Sequence, residues 1–188
     1  NYDILLQLQM WDFFGGRQYI NKFVPRFGKT LEAGCGFGRY VFYLSRLGID
    51  IEGIDFSQKT IDAVNDWKMD NNFKNVSFSH GDVLNLDYQN NSLSGYISLG
   101  VIEHFIEGPK KALDEAYRTL KPGGIAIVTT PSNSPYIRYD KFTSNSKNRI
   151  RRLLNRPEYK TDFFQYEYHH KELKSFLKDS NFFVSFHT

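Results

Sequence analysis

A chain of 188 residues that is 40% hydrophobic and carries 17 Phe and 12 Tyr has enough apolar material for one domain with its own core, which excludes a disordered tail. Its net charge of +3 is too small to imply a polyanionic partner. No apolar run approaches the roughly 20 residues of a membrane helix, no signal-peptide pattern opens the chain, and a single cysteine excludes an internal disulfide and points to a reducing cytoplasm.

In chain order, residues 1–27 read as a helical region, with Ile4, Leu5, Leu8, Tyr19, Ile20 and Phe23 at helix spacing and Gly15-Gly16 as a break. A short strand over Lys29–Ala33 ends in glycines, and a helix over Tyr40–Leu47 stops at Gly48. Asp50–Asp55 is a second strand, and Ser57 is the N-cap of a helix bearing Ile61, Val64 and Trp67. Val76–Ser79 and Leu93–Leu99 are further strands. Lys110–Leu120 is a helix, with Leu113, Ala116, Tyr117 and Leu120 on one face. Lys121-Pro122-Gly123-Gly124 turns the chain into a fifth strand, Ile125–Thr130. Residues 132–168 lack a clear pattern apart from Lys147–Asn155; then come a helix over Lys171–Asp179 and a sixth strand over Phe182–Phe186. Such alternation predicts an α/β fold, a mostly parallel sheet with helices on both faces and a ligand beyond the carboxyl ends of the strands.

Each motif falls just after a strand. Glu32-x-Gly34-x-Gly36-x-Gly38 closes the first strand and opens a helix, letting the backbone approach a ligand and reach positive φ. The dinucleotide fingerprint Gly-x-Gly-x-x-Gly fails here: counting from Gly34 puts Arg39 at the third glycine, and counting from Gly36 puts Val41 there. Asp55, ending the second strand, can accept both hydroxyls of a ribose, and Phe56 offers an apolar face to a base. Past the third strand Asp82 can accept from an adenine amino group, with the backbone near Val83 beside it. Ser98-Leu99-Gly100-Val101-Ile102-Glu103-His104 follows the fourth strand, and Leu120-Lys121-Pro122-Gly123-Gly124 precedes the fifth.

Together the five segments LEAGCGFGRY, GIDFS, GDVLNL, GVIEHF and RTLKPGGIAIVTTP resemble the class I S-adenosylmethionine (SAM)-dependent methyltransferases, within them the ubiquinone-biosynthesis-like small-molecule group. Order and spacing match over residues 29–131, with a weaker echo in KELKSFLKDSNFFV. The resemblance implies a Rossmann-like domain spanning 1–188, with 132–168 as an acceptor-side insertion. It also implies a seven-stranded sheet whose last, antiparallel strand lies between strands five and six. No seventh strand follows Phe186, so either the chain is truncated or this edge is built differently; opening at Asn1 without a Met, it reads as a trimmed or partial version of a longer protein. By the same resemblance Glu32, Ala33, Gly34, Gly36 and Gly38 hold the methionine part of SAM, and Asp55 takes the ribose. Phe56 and Val83 flank the adenine, Asp82 faces its amino group, and Leu99 and Gly100 line the methionine side.

His104, beside Glu103, is the candidate catalytic base, needed only if the acceptor must lose a proton; the alternative is that the pair starts a helix. No metal site is expected, because Glu103 and His104 lack partner ligands at recognisable spacing. Cys35 reads as a small filler, and His169-His170 as a helix start or an acceptor contact. The stretch 137–160 carries eight Lys and Arg against Asp140 and Glu158, +6 of charge against −3 for the rest. It reads as a solvated face, with an RNA-binding patch as the rival. The expectation is therefore a cytoplasmic enzyme transferring a methyl group from SAM to a small-molecule acceptor, leaving S-adenosylhomocysteine. Nucleic acid is an unlikely partner, and the rivals are an RNA methyltransferase and a non-catalytic SAM-binding regulatory subunit.

Overall fold

The computed structural model describes residues 16–73, 75–131 and 165–185. Five parallel strands form one sheet: β1 (Thr30–Ala33), β2 (Ile51–Asp55), β3 (Ser77–His80), β4 (Leu93–Leu99) and β5 (Leu120–Thr129), in the order β3-β2-β1-β4-β5. Helices α1 (Gly16–Phe23), α2 (Arg39–Arg46), α3 (Gln58–Asp70), α4 (Lys110–Thr119) and α5 (His170–Asp179) alternate with them, and a short 3-10 turn spans Ile102–His104. β1 is the central strand. All four of its residues are buried, as a parallel strand covered on both faces requires. Its register runs Thr30 to Ile51 on one side and Thr30 to Gly95 on the other.

Side chains alternate between two cores. Ile51 and Ile97 join Val41, Phe42, Leu44, Ile61 and Val64 on one face, under α2 and α3. Leu31, Ala33, Ile54 and Tyr96 join Leu113, Ala116, Leu173 and Leu177 on the other, under α4 and α5. Helix starts follow local chemistry. The Ser57 hydroxyl accepts from the Thr60 N–H at 3.3 Å, and the His169 N–H donates to Glu172 Oε2 at 2.8 Å, so His169 starts α5.

Two expectations need correction. Lys121–Gly124 is not a turn ahead of the strand but an irregularity inside β5: the register with β4 jumps from Leu93–Leu120 to Gly95–Ile125, and Gly123 takes φ 79°. The predicted sixth strand is not a strand over 182–185. Its alternation is real, since Phe182 packs edge-on against Tyr117 at 5.4 Å while Phe183 is 99% exposed, but among the described residues no strand pairs with it. Along β5 runs a largely apolar groove of about 720 Å3, lined by Phe23, Ile125, Ile127, Leu173 and Leu177 among others. The expected features at residues 1–15, 147–155 and 186, and the basic stretch 137–160, lie outside the described residues. None of the helices among the described residues is long and apolar enough to cross a membrane.

Leu31, fully buried at the sheet centre, sets the scale of this packing. Leu31→Ala should cost about 2–5 kcal/mol in denaturant unfolding, whereas Leu47→Ala, at a site 46% exposed, should stay within about 0.5 kcal/mol.

Candidate functional site

The strand order reverses between β1 and β4: the chain leaves β1 for β2 on one side and returns to β4 on the other. Loops leaving the carboxyl ends of these strands diverge there and open a crevice. The glycine turn after β1 forms its first wall. Gly34 and Cys35 both donate their N–H to the Ile54 carbonyl, at 2.9 and 2.8 Å, which folds the turn back over β2. Gly34 takes φ 78°, and a Cβ there would collide with Val101. Gly36 takes φ 52° with nothing within 4 Å of where its Cβ would stand, so that face of the turn is open. The Cys35 thiol is buried and pushed upward in pKa by that burial, so it is not the thiolate a nucleophile needs.

Three acidic side chains shape the rest. Asp55 ends β2; its Oδ2 accepts from the Gly36 N–H and its Oδ1 from the Ser57 N–H, both at 2.9 Å. Glu32 is buried, and its Oε2 accepts from the Val41 N–H at 3.2 Å, capping α2 from within the sheet where Gly38 offers no side chain. Burial pushes its pKa up to about 8. Asp82 turns its own loop, with Oδ1 accepting from the Leu84 N–H at 2.8 Å. Phe56 is 74% exposed at the rim, its ring centroid 5.8 Å from that of His80, a neighbour the motif reading missed and which only its place before Gly81-Asp82 could have flagged. The Val83 side chain is buried in the core with Ile54 and Leu86.

Past β4, Leu99 packs against the α2-side core and Gly100 takes φ 71°, its N–H donating to the Thr129 carbonyl at 3.0 Å. Glu103 and His104 part company: Glu103 is buried and His104 exposed. The Tyr166 N–H donates to the Glu103 carbonyl at 2.8 Å and its hydroxyl to the Ile106 carbonyl at 2.9 Å, drawing residues 165–168 across the turn. The structure thus brings Glu32, Ala33, the three glycines, Asp55, Phe56, Asp82, Leu99 and Gly100 to the carboxyl ends of four adjacent strands. Among the described residues no three His, Cys, Asp or Glu side chains gather closely enough to hold a metal ion.

The sequence model of the methyltransferase-domain family matches residues 31–128, the segment that builds these strand ends. The chain belongs to that family. A probable S-adenosylmethionine-dependent methyltransferase of Mycolicibacterium smegmatis is 28% identical over 103 residues, covering 55% of this chain and 38% of that protein. A demethylmenaquinone methyltransferase of Staphylococcus aureus is 31% identical over 107 residues, covering 55% and 43%. The chain spans about two-fifths of the length of these curated relatives. A SAM-dependent methyltransferase of Methanosarcina mazei shares the fold with a TM-score of 0.73 at 18% identity, over 89% of this chain and 85% of that one. Family membership makes SAM the cofactor, and the five-stranded parallel sheet is the Rossmann-like core of the class I methyltransferase fold.

Two measurements probe this wall of carboxylates. Asp55→Asn replaces one accepting oxygen with a donating NH2, so one of the two N–H groups faces a donor; unfolding should show a loss of about 1–3 kcal/mol. Between its ordinary 4.5 and about 8, Glu32 holds a proton in the folded state that the unfolded chain has lost. The ligand-free protein should therefore lose stability as pH rises through that window, and Glu32→Gln should flatten the melting temperature over it.

Proposed function

We propose that the chain binds SAM at this switch point and transfers its methyl group to a small-molecule acceptor. The observation that carries the proposal is the convergence of an open, positive-φ glycine turn, the Asp55 carboxylate and Gly100 on the one place where the sheet order reverses. Bound there, SAM supplies an activated methyl on a sulfonium. Glu32 and the backbone of Ala33, Gly34, Gly36 and Gly38 hold the methionine part. Asp55 keeps lone pairs for the ribose hydroxyls while holding the turn, Phe56 covers the adenine from the exposed rim, and Asp82 with the Val83 backbone reads its edge. Leu99 and Gly100 line the methionine side.

The protein's remaining work is alignment and exclusion of water, effects on the order of 7–11 kcal/mol in favourable intramolecular reactions. His104, exposed at the end of β4, is placed to take a proton from a hydroxyl acceptor. Residues 132–168 form the acceptor-side cover of a single domain, a role for which Tyr166 and Tyr168, lying over the Glu103 turn, speak. The buried free Cys35 accords with a reducing cytoplasm as the compartment. One relative is named for demethylmenaquinone, so quinones come first in an acceptor screen, and the RNA rival rests on the basic stretch 137–160 alone.

Calorimetric titration with S-adenosylhomocysteine should show one site, and at 100 times the dissociation constant the fold should gain about 2.7 kcal/mol. His104→Ala should then lower labelled methyl transfer about 10²- to 10⁴-fold with cofactor affinity kept. A folded sample that binds neither form of the cofactor contradicts the proposal.

A further inference from the structure

The segment leaving β4 draws support from elsewhere in the chain. Its 3-10 turn spans only Ile102–His104, no side chain caps it at Val101, and the His104 N–H reaches the Val101 carbonyl at 3.1 Å. Ile102 and Glu103 are buried on the inner side, while His104 and Ile106 are exposed. Tyr166, 60 residues beyond Ile106, fastens this segment at two points. Its N–H donates to the Glu103 carbonyl and its hydroxyl to the Ile106 carbonyl. The ring stacks on Tyr168 with centroids 5.7 Å apart, and Tyr168 meets Phe176 of α5 edge-on at 5.3 Å. At its other end the same segment touches the glycine turn: Val101 stands against Gly34, where an added Cβ would collide with the Val101 Cγ2. A continuous path therefore runs from the glycine turn through Val101 and the 3-10 turn to Tyr166 and α5.

Hydrogen bonds on exposed segments open locally, without unfolding of the domain. The bond from the Tyr166 hydroxyl is of this exposed kind. We propose that Tyr166 is a latch on the turn after β4, and that a ligand seated on the glycine turn shuts it. This rests on the cofactor placement proposed above. With Gly34 and Val101 held from the crevice side, the Glu103 and Ile106 carbonyls keep the positions that Tyr166 requires, and opening becomes rarer. Linkage makes the effect reciprocal: a ligand that shuts the latch is itself held more tightly while the latch is shut. Tyr166 thereby regulates cofactor release as a positioning residue that acts through the turn.

Amide hydrogen exchange of the full chain, with and without saturating S-adenosylhomocysteine, reads the latch at the Tyr166 N–H. Exchange there should slow by about 5- to 150-fold, the usual span of coupling between sites. The Phe182 N–H, bonded to the Leu177 carbonyl at the far end of α5, is the reference and should change by less than about twofold. Equal slowing at both positions is general stabilisation and overturns the proposal. Unchanged exchange at Tyr166, in a sample that binds the ligand by calorimetry, overturns it as well. Tyr166→Pro supplies neither donor and leaves the latch open. Its affinity for S-adenosylhomocysteine should be lower by the same factor as the slowing measured in the unmodified protein, and unchanged affinity overturns the proposal. Should that variant fail to fold, Tyr166→Phe loses the Ile106 bond alone. It should speed exchange at position 166 of the ligand-free protein by roughly 2- to 12-fold, the worth of one neutral hydrogen bond; an unchanged rate again overturns the latch. A folded sample that binds no S-adenosylhomocysteine contradicts the cofactor placement itself, and this inference falls with it.

Discussion

The Asp55 carboxylate ties the site together. One oxygen holds the Gly36 N–H and the other the Ser57 N–H, so a single side chain fixes the glycine turn after β1 to the start of α3 after β2. Both bonds are charge-assisted, about twice as strong as neutral ones. A turn of three positive-φ glycines has little reason of its own to stay in one shape, since glycine gives up more conformational freedom than any other residue on ordering. The Ile54 carbonyl, accepting from both Gly34 and Cys35, fastens the other end of the turn. Between them the two anchors hold a backbone wall open without side chains of its own. The same carboxylate is thus a structural fastener whose remaining lone pairs leave room for the ligand-accepting role proposed for it.

Around that fastener the strand ends gather acidic groups. Glu32 is kept near the protonated form by burial, while the Val41 N–H and the charge of Arg39 pull the other way. Glu103 is also buried, with one oxygen unanswered. Burial of such groups disfavours their ionised forms, at a cost to the fold wherever they must ionise. The large groove beside β5 has the opposite character. Among the described residues it is lined mostly by apolar groups and by no acidic side chain.

Much of this was legible in the sequence. Leu93–Leu99 has the bounds expected of it, because an apolar run stopped by Gly100 leaves little choice. The glycine turn and Asp55 fell where expected, since each motif sits at a strand end and strand ends in a parallel sheet share one edge. Partnership was not legible. The alternation over Phe182–Val184 is that of a strand, and the residues do alternate between core and solvent, yet a strand also needs a neighbouring backbone, which no local pattern supplies. Likewise Lys121–Gly124 reads as a turn before the strand but is an irregularity inside β5, because the resumption of pairing with β4 on both sides of it depends on the neighbour's register. Val83 and Glu103 show the same limit for side chains. Residue type drew attention to the imidazole of His104, whereas the buried, unsatisfied group is the carboxyl beside it, and burial is decided by the fold.

The central claim is the location of the cofactor at the reversal of strand order, and backbone amide shift mapping tests it most directly. Titrated with S-adenosylhomocysteine, the 15N-labelled protein should show its largest changes at Gly34, Gly36, Asp55, Phe56, Asp82 and Gly100, with the outer part of β5 quiet. Changes concentrated instead along Ile125, Ile127, Leu173 and Leu177 would put the ligand in the apolar groove and contradict the account.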